Sequence, residues 1–392
     1  MAQSDSQPNL PSLSHEEILR YSRHLLIPEI GLSGQRRLKA ASMLIVGTGG
    51  LGSPIAMYLA AAGVGHLGVM DYDSVDVSNL QRQIIHGSAS VGEHKVLSAK
   101  RRIADINPAI EVTIYDEPLT SENALRVTEP YDILIDATDN FPTRYLLNDV
   151  AVLSKKPMVY GSIYQFEGQV SVFWPGKGPC YRCIYPDPPP PGLVPDCGEA
   201  GAFGVLPGTI GTIQATEALK LALGIGTPLI GKLLLYDAQA MQFEQIRLHR
   251  NARCRICSEK PEIDSLIDYE AFCGVPGYGR PALDIPPGHL ITPEELSRKM
   301  ASGDPIHLID VREPHELEIS KIEGAESIPL GKIAAHLHEL NTQEEIILLC
   351  RTGIRSGRAL EILLGAGFKH ARNLVGGVNA WAEVIDSDQP IY

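Results

Sequence analysis

The chain has 392 residues, about two to three times a typical single domain, so its length predicts two cores rather than one. Its hydrophobic fraction is 44% and its charged fraction 21%, and it lacks the uninterrupted apolar run of about 18 residues that a membrane-spanning helix requires. A net charge of −13 argues against a general binder of phosphate backbones, so neither a membrane nor a nucleic acid is an expected partner.

Residues 1–13 are polar, with prolines and serines but neither the basic start nor the apolar stretch of a secretory signal; they read as a flexible arm on a cytoplasmic protein. From Ser14 the pattern predicts a helix with Ser14 as its N-cap, a turn over residues 28–34 and a second helix. The apolar run at 43–46 breaks that period and reads as a buried strand. A glycine-rich turn, an alanine-rich helix and the strand LGVMD, ending at Asp71, complete a βαβ unit. VTIYD, DILIDATDN, PMVYGSI and QVSVFW then predict further strands between helical segments. The fold class is therefore α/β, a Rossmann-like and mostly parallel sheet with an antiparallel extension. PDPPPPG at 186–192 suits an extended loop.

The proline- and glycine-rich stretch 259–290 reads as a linker between a domain over 14–258 and a smaller α/β domain over 291–392. In the latter, PIHLIDVRE, SIPL, EIILLC and FKHARNLVGG predict strands, and 292–302, 333–340 and 357–365 predict helices.

Gly47, Gly49 and Gly52 form a GxGxxG between strand and helix, with Asp71 nineteen residues beyond Gly52. Such glycines let backbone approach phosphates at a helix N-terminus, and the acidic residue can accept from ribose hydroxyls; a tight turn without a ligand is the plainer alternative. Arg82 and Lys95 follow, two cations that suit a triphosphate and its departing pyrophosphate, although each alone reads as a surface charge. Asp139, just past an apolar strand, is either a Mg²⁺ ligand or the N-cap of the next helix.

Seven cysteines is an odd count. Cys180 and Cys183, with Cys254 and Cys257, make two CxxC knuckles, the closed set of a structural Zn²⁺ site, and the adjacent Arg182, Arg253 and Arg255 are expected to favour thiolates. Cys197, in a glycine-rich loop, is either a nucleophile for an activated carbonyl or a semi-buried small residue. Cys273 has no partner at ligand spacing and receives no role. Cys350 opens CRTGIRSGRA between a buried strand and a helix, where N–H groups, the helix N-terminus and the guanidinium groups of Arg351 and Arg355 would stabilise an anionic sulfur. The C-x4-R spacing is one residue shorter than a tyrosine-phosphatase loop and suits sulfur better than phosphate; a buried structural cysteine is the alternative.

Through RYSRHLLIPEIG, GTGGLGSP, DYDSVDVSNLQRQ, HKV, DATDNFPTRYLLND, the CxxC pairs and PDCGEAG, the first domain resembles the adenylating, ubiquitin-activating-like enzymes of molybdopterin and thiamine biosynthesis. Through LIDVREPHE, IEGAESIPL, LLCRTGIRS and NLVGGVNAWA the second resembles a rhodanese module, and the order resembles the molybdopterin-synthase adenylyltransferase/sulfurtransferase fusions. The resemblance implies that ATP binds at Gly47, Gly49, Gly50, Gly52, Asp71, Ser78, Asn79, Leu80, Gln81, Arg82, Lys95, Asp139 and Asn140, with Mg²⁺ at Asp139. Arg23 would reach the phosphates across a homodimer interface. It further implies adenylation of the C-terminal Gly-Gly of a small ubiquitin-fold sulfur carrier, then transfer of a persulfide sulfur from Cys350, in the loop Arg351, Thr352, Gly353, Ile354 and Arg355, to give a thiocarboxylate. Cys197 would act second, and the sulfur donor would be a cysteine desulfurase or thiosulfate. An NAD-linked oxidoreductase and a non-catalytic docking scaffold are the rival readings.

Overall fold

The structure, a computed structural model, describes residues 10–189, 201–274 and 285–392. The chain divides into two compact units, Met1–Gly274 and Val275–Tyr392, each with its own sheet.

The arm expected over 1–13 is anchored from Leu10 onward. Arg36 donates to the Leu10 and Pro11 carbonyls and Lys39 to that of Ser12. Ser14 caps α1 (His15–Arg20) in a capping box with Glu17. The single helix expected from Ser14 breaks at Tyr21, and α2 (Ser22–Leu25) and α3 (Gly31–Ala40) follow, so α3 begins inside the expected turn. Tyr21 turns its buried ring against Gly63, where a Cβ would lie 2.5 Å from the ring, and its hydroxyl accepts from the Asn107 amide. That long-range contact sets the break.

Next come β1 (Ser42–Val46), α4 (Gly52–Ala62), β2 (His66–Met70), α5 (Lys95–Ile106), β3 (Glu111–Tyr115), α6 (Ala124–Thr128), β4 (Ile133–Asp136) and α7 (Phe141–Leu153). They precede the hairpin β5 (Met158–Tyr164) and β6 (Glu167–Phe173), then α8 (Tyr181–Ile184), α9 (Leu206–Leu223), and the hairpin β7 (Lys232–Asp237) and β8 (Gln242–Arg247). The sheet order is β3-β2-β1-β4-β5-β6-β7-β8, parallel through β5 and antiparallel beyond. Central β1 is covered on both faces, one by Met43 and Ile45 in a core with α4, the other by Leu44 and Val46 in a core with α7. Its apolar run is therefore continuous rather than alternating.

The linker expected from residue 259 begins later than the sequence suggests, because α10 (Tyr269–Cys273) belongs to the first unit. Asp149 and Arg182 form a fully buried ion pair, with Nε–Oδ1 and Nη2–Oδ2 both at 2.8 Å. Tyr269 donates its hydroxyl to Asp149 at 2.8 Å, and the Arg182 guanidinium lies over the rings of Phe272 and Tyr145, at 4.5 and 4.8 Å. Burial and the Asp149 carboxylate raise the Tyr269 pKa. Cys273 is buried in the same core, which pushes its thiol up to about 12 and leaves it inert.

The second unit holds β9 (Leu290–Ile291), α11 (Pro293–Ser302), β10 (Ile306–Asp310), β11 (Glu326–Ser327), α12 (Leu330–His336), β12 (Glu345–Leu349), α13 (Ile354–Gly365), β13 (Arg372–Leu374) and α14 (Gly377–Val384). Its sheet, β11-β10-β12-β13-β9, is parallel throughout. The helices expected at 333–340 and 357–365 each start three residues earlier, α13 directly out of the cysteine loop.

Tyr269→Ala in the full chain is expected to lower the stability of the first unit by about 3 kcal/mol, from the lost ring and the unpaired bond to Asp149. Denaturant unfolding checks this. A true linker at this point predicts a change within about 0.5 kcal/mol.

Candidate functional site

Strands β2, β1 and β4 lie side by side, and their carboxyl ends carry Asp71, the glycine-rich turn and Asp139. The chain adds strands in opposite directions from β1, which opens a crevice above these ends. Gly47 has φ +97°, and a Cβ there would meet the Ala137 carbonyl oxygen at 2.6 Å; one on Gly52 would sit 2.0 Å from the Gly47 oxygen. Only glycine permits this packing, which directs the N-terminus of α4 at the crevice. Asp71 Oδ2 accepts from the Thr48 N–H at 2.7 Å and its hydroxyl at 2.8 Å, so the acidic residue fixes the turn as well as facing the crevice edge.

Lys95, the first residue of α5, is buried and donates to Asp73 at 2.8 Å. An ammonium has three donors, so this bond leaves two for a ligand. Ser78 donates its N–H and hydroxyl to Asp76, and Arg82 reaches the Ser78 carbonyl at 3.2 Å, which folds residues 76–82 into one turn beside Gly50. Asn79 accepts at its carbonyl from the Arg82 and Gln83 N–H groups, Leu80 closes the turn, and Gln81 lies against Gly204. The cap of α7 is Asn140, whose side chain accepts from the Thr143 N–H at 3.0 Å; Asp139 is exposed before it. Arg23 is exposed on α2.

Sequence reasoning missed two groups that shape this site. His86 is buried, with Nε2 at 3.1 Å from the Thr48 carbonyl and Nδ1 at 3.0 Å from Ser98; burial lowers its pKa. Arg144 is buried against Asp136 at 3.0 Å, and that carboxylate raises its pKa against the opposing effect of burial. Both are single residues in helical or irregular segments, with no local pattern to mark them.

The sulfurs of Cys180, Cys183, Cys254 and Cys257 all lie within 4.8 Å of one another, with separations of 3.4, 3.6 and 3.8 Å along the closest pairs. A tetrahedral tetrathiolate at about 2.3 Å from its metal has sulfurs about 3.8 Å apart, so donor type and spacing both fit Zn²⁺. Two of the three neighbouring arginines are already paired with carboxylates. Arg182 is spent on Asp149, and Arg255 pairs with Glu262 at 3.1 Å and Asp187 at 3.6 Å.

In the second unit, buried Cys350 follows β12. Its Sγ accepts from the Gly353 N–H at 3.1 Å and the Ser356 hydroxyl at 3.3 Å. Gly353, at φ +90°, caps α13, so the helix N-terminus faces the sulfur. A Cβ on Gly377 would lie 2.1 Å from the Cys350 oxygen, and the N–H groups of Val378 and Asn379 bind the Cys350 and Arg351 carbonyls. Arg355, expected beside the sulfur, is bound by Glu316 in two bonds, of 2.6 and 2.7 Å. Burial would raise the Glu316 pKa, but the bonds from Arg355 outweigh it and lower the value. Cys197 lies outside the described residues.

The ThiF family model matches residues 21–256, and the rhodanese-like domain model matches residues 292–384. The chain is 47% identical to "Probable adenylyltransferase/sulfurtransferase MoeZ" of Mycobacterium tuberculosis over 97% of both chains. It is 54% identical to the "Sulfur carrier protein adenylyltransferase" of Thermus thermophilus, over 66% of this chain and 98% of that one. The fold of the E. coli MccB crystal structure with ATP is shared at a TM-score of 0.52 and 22% identity, over 61% of this chain and 74% of that chain.

Glu316→Gln is expected to cost the second unit about 2–4 kcal/mol at pH 7, because it removes the carboxylate from a two-bond ion pair whose members are both poorly exposed. The lowered Glu316 pKa makes its contribution complete above the unfolded value of about 4.3 and lost as pH falls through the folded value. Denaturant unfolding from pH 7 to pH 3 should therefore show a flatter acid limb in the variant.

Proposed function

Because the chain belongs to the ThiF family and carries a rhodanese-like domain after that region, we propose that it is an ATP-dependent adenylyltransferase and sulfurtransferase acting on a small ubiquitin-fold sulfur carrier. The observation that carries this reading is the pairing, in one chain, of a glycine-built crevice bearing Lys95 and Asp139 with a thiol that accepts a loop N–H at the head of a helix.

In this reading Gly47, Gly49, Gly50 and Gly52 bring backbone to the triphosphate of ATP, Asp71 and Asn140 lie at the crevice edge, and Ser78, Asn79, Leu80, Gln81 and Arg82 form its far wall. Asp139 holds the Mg²⁺ that accompanies ATP and offsets its phosphate charge. The carboxylate of the carrier's last glycine attacks the α-phosphorus, and pyrophosphate leaves with its bonding electrons while Arg82 and Lys95 neutralise the growing charge. Arg23 of a second copy reaches the same phosphates, which makes the working unit a homodimer. The product replaces a poor leaving oxygen by AMP.

Cys350 takes sulfur from a cysteine desulfurase or from thiosulfate. The terminal sulfur of its persulfide attacks the acyl carbon, the carbon–sulfur bond forms and AMP departs. Cys197 then attacks the Cys350 sulfur of the acyl disulfide and releases the thiocarboxylate, and a thiol reductant reopens the resulting disulfide; a transient Cys197 thioester is the alternative route. Cys180, Cys183, Cys254 and Cys257 would hold Zn²⁺, which would fasten α8 to the segment after β8 and serve stability rather than the reaction. A reducing cytoplasm suits four such thiols.

ATP–pyrophosphate exchange in the presence of the carrier tests the first step. Asp139→Ala is expected to abolish exchange and leave the Cys350 persulfide intact, whereas Cys350→Ala should spare exchange and end thiocarboxylate formation, read by intact mass. Cys197→Ala should spare both early steps while thiocarboxylate yield falls. No exchange in the parent chain would sink the adenylation reading and favour a binding scaffold or a dinucleotide enzyme. Elemental analysis of freshly purified protein should find one Zn²⁺ per chain, and Cys183→Ser should lower stability more than it changes the chemistry of the folded fraction.

A further inference from the structure

Two arginines flank the thiol of Cys350, and the fold treats them differently. Arg355 is neutralised by the carboxylate of Glu316. Arg351 has no carboxylate partner among the described residues. Its guanidinium carbon stands 5.9 Å from the centroid of the Tyr392 ring.

Tyr392 is itself fixed from several sides. Its hydroxyl accepts from Arg312 Nη1 at 2.6 Å and lies 3.5 Å from Glu316 Oε1. Its main chain is clasped by the Asn379 side chain, which donates to the Tyr392 carbonyl at 2.9 Å and accepts from its N–H at 3.4 Å. The backbone N–H of that same Asn379 binds the Arg351 carbonyl at 3.1 Å. Arg312, in turn, is buried and locked by Asp310 at 2.6 Å. The main chain of Arg351 and the ring that faces its side chain are thus both fixed through Asn379.

We infer that Tyr392 is a positioning residue of the persulfide loop: it holds Arg351, the loop cation that no carboxylate among the described residues neutralises, ready to meet an anionic sulfur donor. Arg351 meets the donor and Arg355 serves the loop's architecture. With thiosulfate the step balances simply. The Cys350 thiolate attacks the outer sulfur, a new sulfur–sulfur bond forms, the bond within thiosulfate breaks, and sulfite leaves with the electron pair. Arg351 lowers the cost of bringing a dianion to an anionic thiolate, so its placement governs donor capture more than the chemical step.

The inference rests on the sulfurtransferase reading, and the test separates the two. The full-length chain is assayed for sulfur transfer from thiosulfate to cyanide at varied thiosulfate. Tyr392→Leu is expected to raise KM for thiosulfate about three- to fivefold with kcat within about twofold of the parent. Tyr392→Phe, which keeps the ring, is expected to restore a KM near the parent value. Arg351→Gln should raise KM further, and adding Tyr392→Leu to it should change KM no more. A fall in kcat without a KM change in Tyr392→Leu, parent kinetics in that variant, equal damage in Tyr392→Phe, or additive effects in the double variant would each overturn the inference. If Tyr392→Leu does not fold, the comparison of Tyr392→Phe with Arg351→Gln decides: a KM for Tyr392→Phe as high as that of Arg351→Gln assigns the effect to the Arg312 bond and overturns it. No turnover by the parent chain would overturn the sulfurtransferase reading together with this one.

Discussion

The close approach of backbone to backbone at the glycine-rich turn is the constraint on which the first unit depends. With Gly52 against the Gly47 carbonyl and Gly47 against that of Ala137, α4, β1 and the end of β4 meet at distances that no side chain permits. A single steric condition therefore sets three elements at once. It aligns the α4 N-terminus with the crevice, brings Thr48 to Asp71, and places Asp139 across from the turn. The partial positive charge of the helix terminus and the Lys95 ammonium then share a crevice in which Asp73 faces Lys95 and Asp136 faces Arg144.

Charge neutralisation is the second organising idea. Among the described residues the buried guanidinium groups are each matched: Arg144 to Asp136, Arg182 to Asp149 and Arg312 to Asp310. Each such pair pays for desolvation with geometry, and removal of one member leaves the other stranded. The Asp149–Arg182 pair also decides where the first unit ends, because Tyr269 and Phe272 complete its surroundings from beyond the second CxxC pair. At the cysteine loop the same logic separates a structural arginine from an available one.

Much was legible in local pattern. The strand-turn-helix run around Gly47, the capping box at Ser14, the two CxxC pairs and the strand-to-helix loop at Cys350 each lie within a few residues, and their physics is local: φ above zero, a satisfied N–H, or ligand spacing. The break at Tyr21, the late end of the first unit and the commitment of Arg182 and Arg355 were not legible. Each depends on a partner far along the chain, Gly63, Asp149 or Glu316, that no periodicity announces.

By itself, then, the sequence determined the α/β class, the two-part organisation, the four-cysteine cluster and the residues gathered at the strand ends, because backbone sterics and ligand spacing are written in neighbouring residues. Only the tertiary structure decided which charges are already spent. A guanidinium carries the same charge in the sequence wherever it stands, and what it can do for a ligand depends on whether the fold has brought a carboxylate within hydrogen-bond reach.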